Sequence, residues 1–371
     1  MWILYNRIMN IAIYGAGSIG TIVGTFLINA GYKVDLISRD HRHIELLKRD
    51  GSRVTGEISL RTRPLDGWGG SGRALLPSEV FESGKKYDMI ILLTKQGENA
   101  ANAEMLGSLL RPNGLLCTMQ NGIPEPALQA VLGKDKVVGC ICMWGATKTG
   151  PSASRLTSAV DSMKFSLGGT GDIYPMVLYG VKSILDNVCP TTIEKNFIGA
   201  RWSKLLINAA FSGTSAVTGF SFGEIASNRD SRNLALNIIK ECIDVCRAAG
   251  VDIEPINGKF PAKFLYFKSP VKKLLLSLIV PIAIKKHREI RSGMADDLKR
   301  GKPCEIDAIN GEVCRTGSEH GVPTPYNDWI VETVHSIERG ELQHGPQNLD
   351  FLKTMFEPPG GDPPTAAFQE R

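Results

Sequence analysis

The chain has 371 residues, 43% apolar and 22% charged, a balance that excludes a disordered or collagen-like protein and leaves room for two domains with separate cores. A formal net charge of +5 spread over that length is too weak to argue for nucleic acid, though it suits an anionic cofactor and an anionic substrate. The 8 cysteines lack paired spacing and the 6 histidines form no metal-binding pattern, so reduced structural thiols and no metal are expected.

Residues 1–8 hold no sustained apolar region or small-residue cleavage site, so no secretory signal is read there and the expected location is cytoplasmic. Met9 directly precedes the first strand and is a candidate initiator. Asn10 to Tyr14 reads as a strand, followed at once by Gly15-Ala16-Gly17-Ser18-Ile19-Gly20 and an apolar-periodic helix ending near Gly31. A second strand, Lys33 to Ile37, closes a βαβ unit. Pro64 to Gly72, rich in glycine and carrying Trp68, reads as a surface loop or hairpin crossing. Further strands are expected at Met89 to Leu93, Leu115 to Met119 and Val137 to Ile141, with helices around Ala100 to Leu110 and Pro126 to Leu132. Lys164 to Gly168, Tyr174 to Asp186 and Thr191 to Glu194 add strand, helix and strand.

The chain then turns helical. Helices are expected over Ala200 to Phe211, Arg232 to Ala249, roughly Lys272 to Arg288, Ile306 to His320 and Asn327 to Arg339. The pattern predicts an N-terminal Rossmann domain with a doubly wound sheet (9–197), an all-helical C-terminal domain (198–345) and a disordered tail (346–371), whose last residues, Glu357 to Arg371, are dense in Pro and Gly. Leu274 to Ile284 is an apolar run flanked by lysines and too short to span a bilayer. It is expected as a buried helix kinked near Pro281, with no membrane contact. The competing reading is a basic interfacial helix that touches a membrane or covers a lipophilic substrate.

Gly15-x-Gly17-x-x-Gly20 is weak evidence alone, but it follows a strand and opens a helix. Backbone N–H groups and the helix dipole there would face a pyrophosphate. Where an NAD enzyme places Asp or Glu after the second strand, this chain has Ser38-Arg39, which favours the 2′-phosphate of NADPH. Asp35 and Asp40 lie nearby and keep NAD open.

Four further segments narrow the choice: Leu92-Leu93-Thr94-Lys95, Gln120-Asn121-Gly122, Arg201-Trp202-Ser203-Lys204-Leu205-Leu206-Ile207-Asn208, and Lys302 to Gly311, which contains Glu305-Ile306-Asp307. In this order and at these separations the chain resembles the ketopantoate reductase (2-dehydropantoate 2-reductase) family from about residue 10 to residue 340. The resemblance implies that Lys95 and Asn121 sit at sheet-strand ends beside the nicotinamide and its ribose, and that Ala146 lies along the cofactor. It further implies that Lys204 is the proton donor, Asn208 a substrate contact, and Glu305 a carboxylate reaching ribose and substrate across an interdomain cleft.

Residue chemistry leads the same way, because hydride reduction of a ketone leaves charge on oxygen that a cation must stabilise and protonate. Taken singly, an exposed helix lysine, a helix-to-helix asparagine and a capping glutamate are the commoner explanations; taken together they favour the site. Departures from the family pattern are Ser212 and Phe222, where asparagines are usual, and Gly293 with Ser292 one residue earlier. Asn121, Asn208, Ser212 and Ser292 are therefore the candidate substrate contacts, for an acid other than ketopantoate.

The expected function is NADPH-dependent reduction of a small-molecule 2-oxo acid, of the kind used in pantothenate biosynthesis. The competing readings are an NAD-linked D-2-hydroxyacid dehydrogenase of the mandelate type and a catalytically silent NADP-binding sensor. A homodimer is a possible assembly that the sequence leaves open.

Overall fold

The computed structural model describes residues 9–67, 72–171, 173–256 and 258–356. The chain divides into two compact units, with the boundary between Ile198 and Gly199. Trp68, the candidate initiator's upstream residues 1–8, and the final 357–371 lie outside the described residues.

The first unit holds β1 (Asn10–Tyr14), β2 (Lys33–Ile37), β3 (Arg53–Thr55), β4 (Leu60–Arg61), β5 (Gly72–Leu75), β6 (Tyr87–Leu92), β7 (Leu110–Thr118), β8 (Val137–Cys142), β9 (Ala146–Gly150), β10 (Ala153–Leu156), β11 (Phe165–Gly168) and β12 (Thr191–Ile193). The main sheet runs β12-β11-β8-β7-β6-β1-β2-β5. All its described pairings are parallel except β8 with β11. Strand β1 shows why the sheet is covered on both faces. Ile11 and Ile13 pack into a core with the helices Ser18–Asn29 and Pro175–Leu185, while Ala12 and Tyr14 pack into a second core with Asn99–Leu109 and Glu125–Leu132. This is the Rossmann arrangement read from the alternation of strands and helices.

A second sheet, β4-β3-β10-β9, is absent from the sequence reading. It joins the first core through Val54 and Leu156, and Thr25 of the Ser18–Asn29 helix shares a 2.6 Å hydroxyl contact with Ser52 beside it. At the start of the Pro64 to Gly72 segment, Leu65 is wholly buried and its carbonyl accepts from Ala74 N at 2.9 Å, so this part is not superficial.

The second unit is built around the helix Arg229–Ala248, which packs against Ile306–Glu319, Pro325–Glu338, Pro270–Ala283 and Phe222–Ser227. Two helices of this unit depart from the sequence-based expectation. Within the tail read over 346–371, Asn348–Phe356 is a helix, because Leu349 and Leu352 are buried and Asn348 donates from Nδ2 to the Val217 carbonyl at 3.1 Å; Glu357 to Arg371 lie outside the described residues. The helix Pro270–Ala283 is not a buried one. Only Leu276, Ser277 and Val280 are buried, and the outer row Val271, Leu274, Leu278 and Ile282 is 62–75% exposed.

Strands β2, β5 and β6 are tied by one buried carboxylate. Asp35, 1% exposed, accepts from Arg73 at 2.8 Å, Lys85 at 2.9 Å and the Tyr87 hydroxyl at 2.8 Å. Burial alone would raise its pKa, but hydrogen bonding from Arg73, the Lys85 charge and the Tyr87 hydroxyl outweigh burial and hold it below the usual carboxylate value. Asp35→Asn should therefore cost about 3 kcal/mol at pH 7, measured by denaturant unfolding, because it leaves Arg73 and Lys85 without their counter-charge. A folded-state pKa below the unfolded one gives stability that is present above about pH 3.9 and lost on acidification. The gap between variant and wild type should accordingly narrow below about pH 4; a gap independent of pH would contradict the charge assignment.

Candidate active site

The glycine loop links β1 to the helix Ser18–Asn29, and its three glycines do different things. Gly15 has φ +102°, and a Cβ there would lie 2.7 Å from the Leu93 and Thr94 backbone. A Cβ on Gly20 would lie 2.5 Å from the Gly15 carbonyl oxygen. Gly17 has no such packing reason: its nearest neighbour to a built Cβ is 4.0 Å away. The Ala16 N–H donates to the Ile37 carbonyl at 2.9 Å, which ties the loop to the end of β2. The helix that starts at Ser18, with Ile19 and Gly20 in its first turn, has no side-chain cap and no acidic residue there. Its first N–H groups thus have no partner within the helix and point with the helix dipole, a cradle that fits an anionic dinucleotide backbone.

At the end of β2 the two nearby acids are both engaged elsewhere. Asp35 is held in the buried network just described. Asp40 caps the helix His41–Asp50 by accepting from His43 N at 3.0 Å, and it also pairs with Lys148 at 2.7 Å. Hydrogen bonds from Lys148 and the His43 N–H keep Asp40 below the usual carboxylate range. Arg39 is 75% exposed and makes a 3.4 Å pair with Glu98, itself 63% exposed. Such a surface pair is weak and readily exchanged. The Ser38 hydroxyl accepts from Asp40 N at 3.2 Å.

Lys95 and Asn121 follow β6 and β7 at the same end of the sheet as the glycine loop: Leu93 N donates to Tyr14 O at 2.8 Å and Met119 N to Leu92 O at 2.9 Å. A residue without an assigned role in the sequence reading, Gln120, fastens this end together. It is 3% exposed. Its Nε2 donates to Thr94 O at 2.9 Å and Asn99 Oδ1 at 2.7 Å, while its Oε1 accepts from Thr118 at 3.0 Å and Asn99 Nδ2 at 3.2 Å. Gln96 Nε2 donates to the Asn121 carbonyl. Ala146 opens β9 of the second sheet, where Thr147, Thr149, Glu57 and Arg155 line an open recess of about 620 Å³.

In the second unit the helix Phe197–Ile207 continues into a π-helical turn, Asn208–Gly213. The turn sets the phase of the predicted residues. Four residues of α-helix overshoot a full turn by about 40°, whereas four residues of the wider i→i+5 turn fall short of one. Asn208 and Ser212 therefore return to the face of Lys204. Burial agrees, since these three are half-buried while Leu205, Leu206, Ala209, Ala210, Phe211 and Gly213 are buried. The widened turn is held by Asn310, fully buried, whose Nδ2 donates to the Ala209 carbonyl at 3.1 Å and to Asn327 Oδ1 at 2.9 Å. Gly213 leaves room for it, because a Cβ there would lie 2.4 Å from Asn310 Oδ1. Asn327 Nδ2 in turn donates to Glu241 Oε2 at 2.7 Å. Burial pushes the Glu241 carboxyl up to about 7, against the hydrogen bonds from Tyr326 N, Asn327 N and the Asn327 amide. Asn310, Asn327 and Glu241 went unassigned in the sequence reading, and only the position of Asn310 inside the Lys302 to Gly311 segment hinted at one of them.

Glu305 stands half-buried at the start of Ile306–Glu319. Ser292, 4% exposed, spends its hydroxyl as the cap of Gly293–Lys299, accepting from Ala295 N at 3.0 Å. Phe222 packs against Phe211 in a tilted pair with centroids 5.4 Å apart, which brings an aromatic ring against the π turn. A Cβ on Gly293 would meet nothing within 4 Å.

The glycine geometry separates two mutants. Gly20→Ala should destabilise the fold by about 1 to 3 kcal/mol through its clash with Gly15. Gly17→Ala should leave unfolding within about 0.5 kcal/mol of wild type yet weaken dinucleotide binding at least tenfold, about 1.4 kcal/mol. Unfolding curves beside fluorescence titration read both; a Gly17→Ala protein that binds as wild type would contradict the cradle.

Residues 11–168 match the family model Ketopantoate reductase PanE/ApbA, and residues 196–338 match Ketopantoate reductase PanE/ApbA C terminal. A 2-dehydropantoate 2-reductase of Pyrococcus horikoshii is 28% identical over 335 residues, spanning 89% of this chain and 98% of the relative. Among solved structures, a ternary D-mandelate dehydrogenase with NADH and anilino(oxo)acetate has a TM-score of 0.74 at 22% identity, covering 90% of this chain and 99% of that one. A PanE/ApbA family ketopantoate reductase from Ralstonia eutropha JMP134 has a TM-score of 0.71 at 24% identity, with the same coverage. Structural likeness at these identities speaks for the fold alone; the two family models, which between them take in most of the sequence, place the chain in the ketopantoate reductase family.

Proposed function

We propose that the chain reduces a 2-oxo acid to the 2-hydroxy acid with NADPH, in the manner of a 2-dehydropantoate 2-reductase. The observation that carries this reading is the single helix face on which the π turn presents Lys204 with Asn208 and Ser212. Bound NADPH supplies the hydride. The chain supplies the rest: the Lys204 ammonium stabilises the charge that develops on the substrate oxygen and delivers a proton to it, while the Asn208 amide and the Ser212 hydroxyl orient the acid. Glu305 contributes a carboxylate to ribose and substrate, Lys95 and Asn121 serve the nicotinamide side, and Ala146 lies along the cofactor.

Support for NADPH over NADH comes from the acids near the end of β2. Asp35 has three partners inside the sheet, and Asp40 is a helix cap paired to Lys148, so both carboxylates already have partners within the protein. The exposed Arg39 guanidinium, paired with the exposed Glu98 at 3.4 Å, is suited to a bidentate pair with a 2′-phosphate, with Ser38 beside it. The Phe222 ring against Phe211 and the short Ser212 side chain favour a bulkier, more apolar acid than ketopantoate.

Calorimetric titration should give NADPH at least tenfold tighter than NADH, about 1.4 kcal/mol, with the preference lost in Arg39→Ala. NADPH oxidation with a panel of 2-oxo acids should then show turnover, with ketopantoate surpassed by a bulkier acid. Equal cofactor affinities would return the chain to the NAD-linked reading, and cofactor binding without turnover on any 2-oxo acid would leave a silent sensor.

A further inference from the structure

The helix Pro270–Ala283 has two unlike faces. Leu276, Ser277 and Val280 are buried toward the helices Arg229–Ala248 and Phe222–Ser227. The opposite face exposes Val271, Leu274, Leu275, Leu278, Ile279 and Ile282, each 52–75% accessible. Their spacing puts them on one side of the helix over three turns. Scattered exposed apolar side chains are ordinary, but six large ones on one helix face are a contact surface. Two exposed phenylalanines, Phe260 and Phe264, form a tilted pair with centroids 5.9 Å apart just upstream.

Charge identifies what covers that face. Residues 255–288 contain eight Lys or Arg and no Asp or Glu, against a net charge of +5 for the whole chain. Seven of the eight basic residues are exposed, Lys273 being half-buried. Lys272 stands at one end of the helix, and Lys285 and Lys286 at the other, where Arg288 pairs with Glu289 at 3.1 Å. A symmetric dimer through this face would set like charges against like. A lipophilic small substrate would need a concave pocket, whereas this is the outer side of a helix. An apolar row with exposed lysines at both ends fits a surface that is hydrocarbon within and anionic at its rim.

We propose that the helix Pro270–Ala283 docks the protein in the plane of an anionic lipid membrane. Fourteen residues of helix reach about 21 Å, short of the roughly 30 Å needed to cross, and among the described residues no helix is long and apolar enough to span. The outer leucine and isoleucine side chains enter the acyl boundary while the flanking lysines meet phosphate headgroups. The contact is peripheral and falls with rising salt.

The test is co-sedimentation of the full chain with vesicles of equimolar phosphatidylcholine and phosphatidylglycerol, beside vesicles of phosphatidylcholine alone. Wild type should bind the anionic vesicles at least tenfold more tightly than the neutral ones, and high salt should weaken the binding. Leu278→Glu with Ile282→Glu should reduce binding to anionic vesicles at least tenfold while circular dichroism and unfolding temperature stay as in wild type. Lys272→Gln, Lys285→Gln and Lys286→Gln together should do the same without touching an apolar residue, which keeps the test decisive if the glutamate pair misfolds. Absence of wild-type binding, equal binding to neutral vesicles, or unchanged binding in the lysine variant would overturn the proposal. So would sedimentation velocity showing a wild-type dimer that the glutamate pair converts to monomer, since the face would then belong to a second copy.

Discussion

The hydrogen bond from the Asn310 amide to the Ala209 carbonyl, 3.1 Å long and wholly buried, is the constraint on which the helical unit's candidate site depends. An unbroken α-helix would carry Ser212 well round from Lys204; the π turn brings it back. A wider turn breaks the i→i+4 ladder, and a buried carbonyl left without a donor costs about 1 to 3 kcal/mol. Asn310 supplies that donor, and the missing side chain at Gly213 gives it space. Asn327 and Glu241 extend the arrangement, so the placing of Ser212 relative to the half-buried Lys204 is set from inside the helical unit.

The first unit solves a comparable problem by committing its charges early. Asp35 sits in the strand that ends at the candidate ribose position, yet Arg73, Lys85 and Tyr87 hold it inside the sheet edge. The strand end is left to Ser38 and Arg39. Gly15 and Gly20 are required by packing within the protein, while Gly17 is open to whatever approaches the helix N-terminus. Gln120 does for the strand ends what Asn310 does for the helix: it satisfies several buried groups at once and so fixes the residues on either side of it.

Much of the first unit was legible in the sequence because its signals are local. A β-branched strand, a glycine turn and a periodic helix occur within the span Asn10 to Asn29, and strands buried on both faces read as apolar runs. The second sheet was not legible, since β3 and β4 are only three and two residues long and β9 pairs across a short turn with mostly exposed residues. The π turn was invisible because its cause, Asn310, lies 101 residues along the chain from the carbonyl it binds. The helix Pro270–Ala283 was misplaced for a different reason: an apolar run shows that a segment prefers to leave water, and says nothing about which of its faces the protein itself covers. The final helix was missed because its anchors, Leu349 and Leu352, are few and followed by a Pro- and Gly-rich stretch.

The proposed proton delivery by Lys204 is tested most directly by single-turnover NADPH oxidation by Lys204→Ala with the best 2-oxo acid found, beside the NADPH dissociation constant of the same variant. The rate should fall by about a hundredfold to ten-thousandfold, the contribution of a positioned general acid, with cofactor affinity nearly unchanged. A variant that keeps more than about a tenth of the wild-type rate, or that loses NADPH binding first, would contradict it.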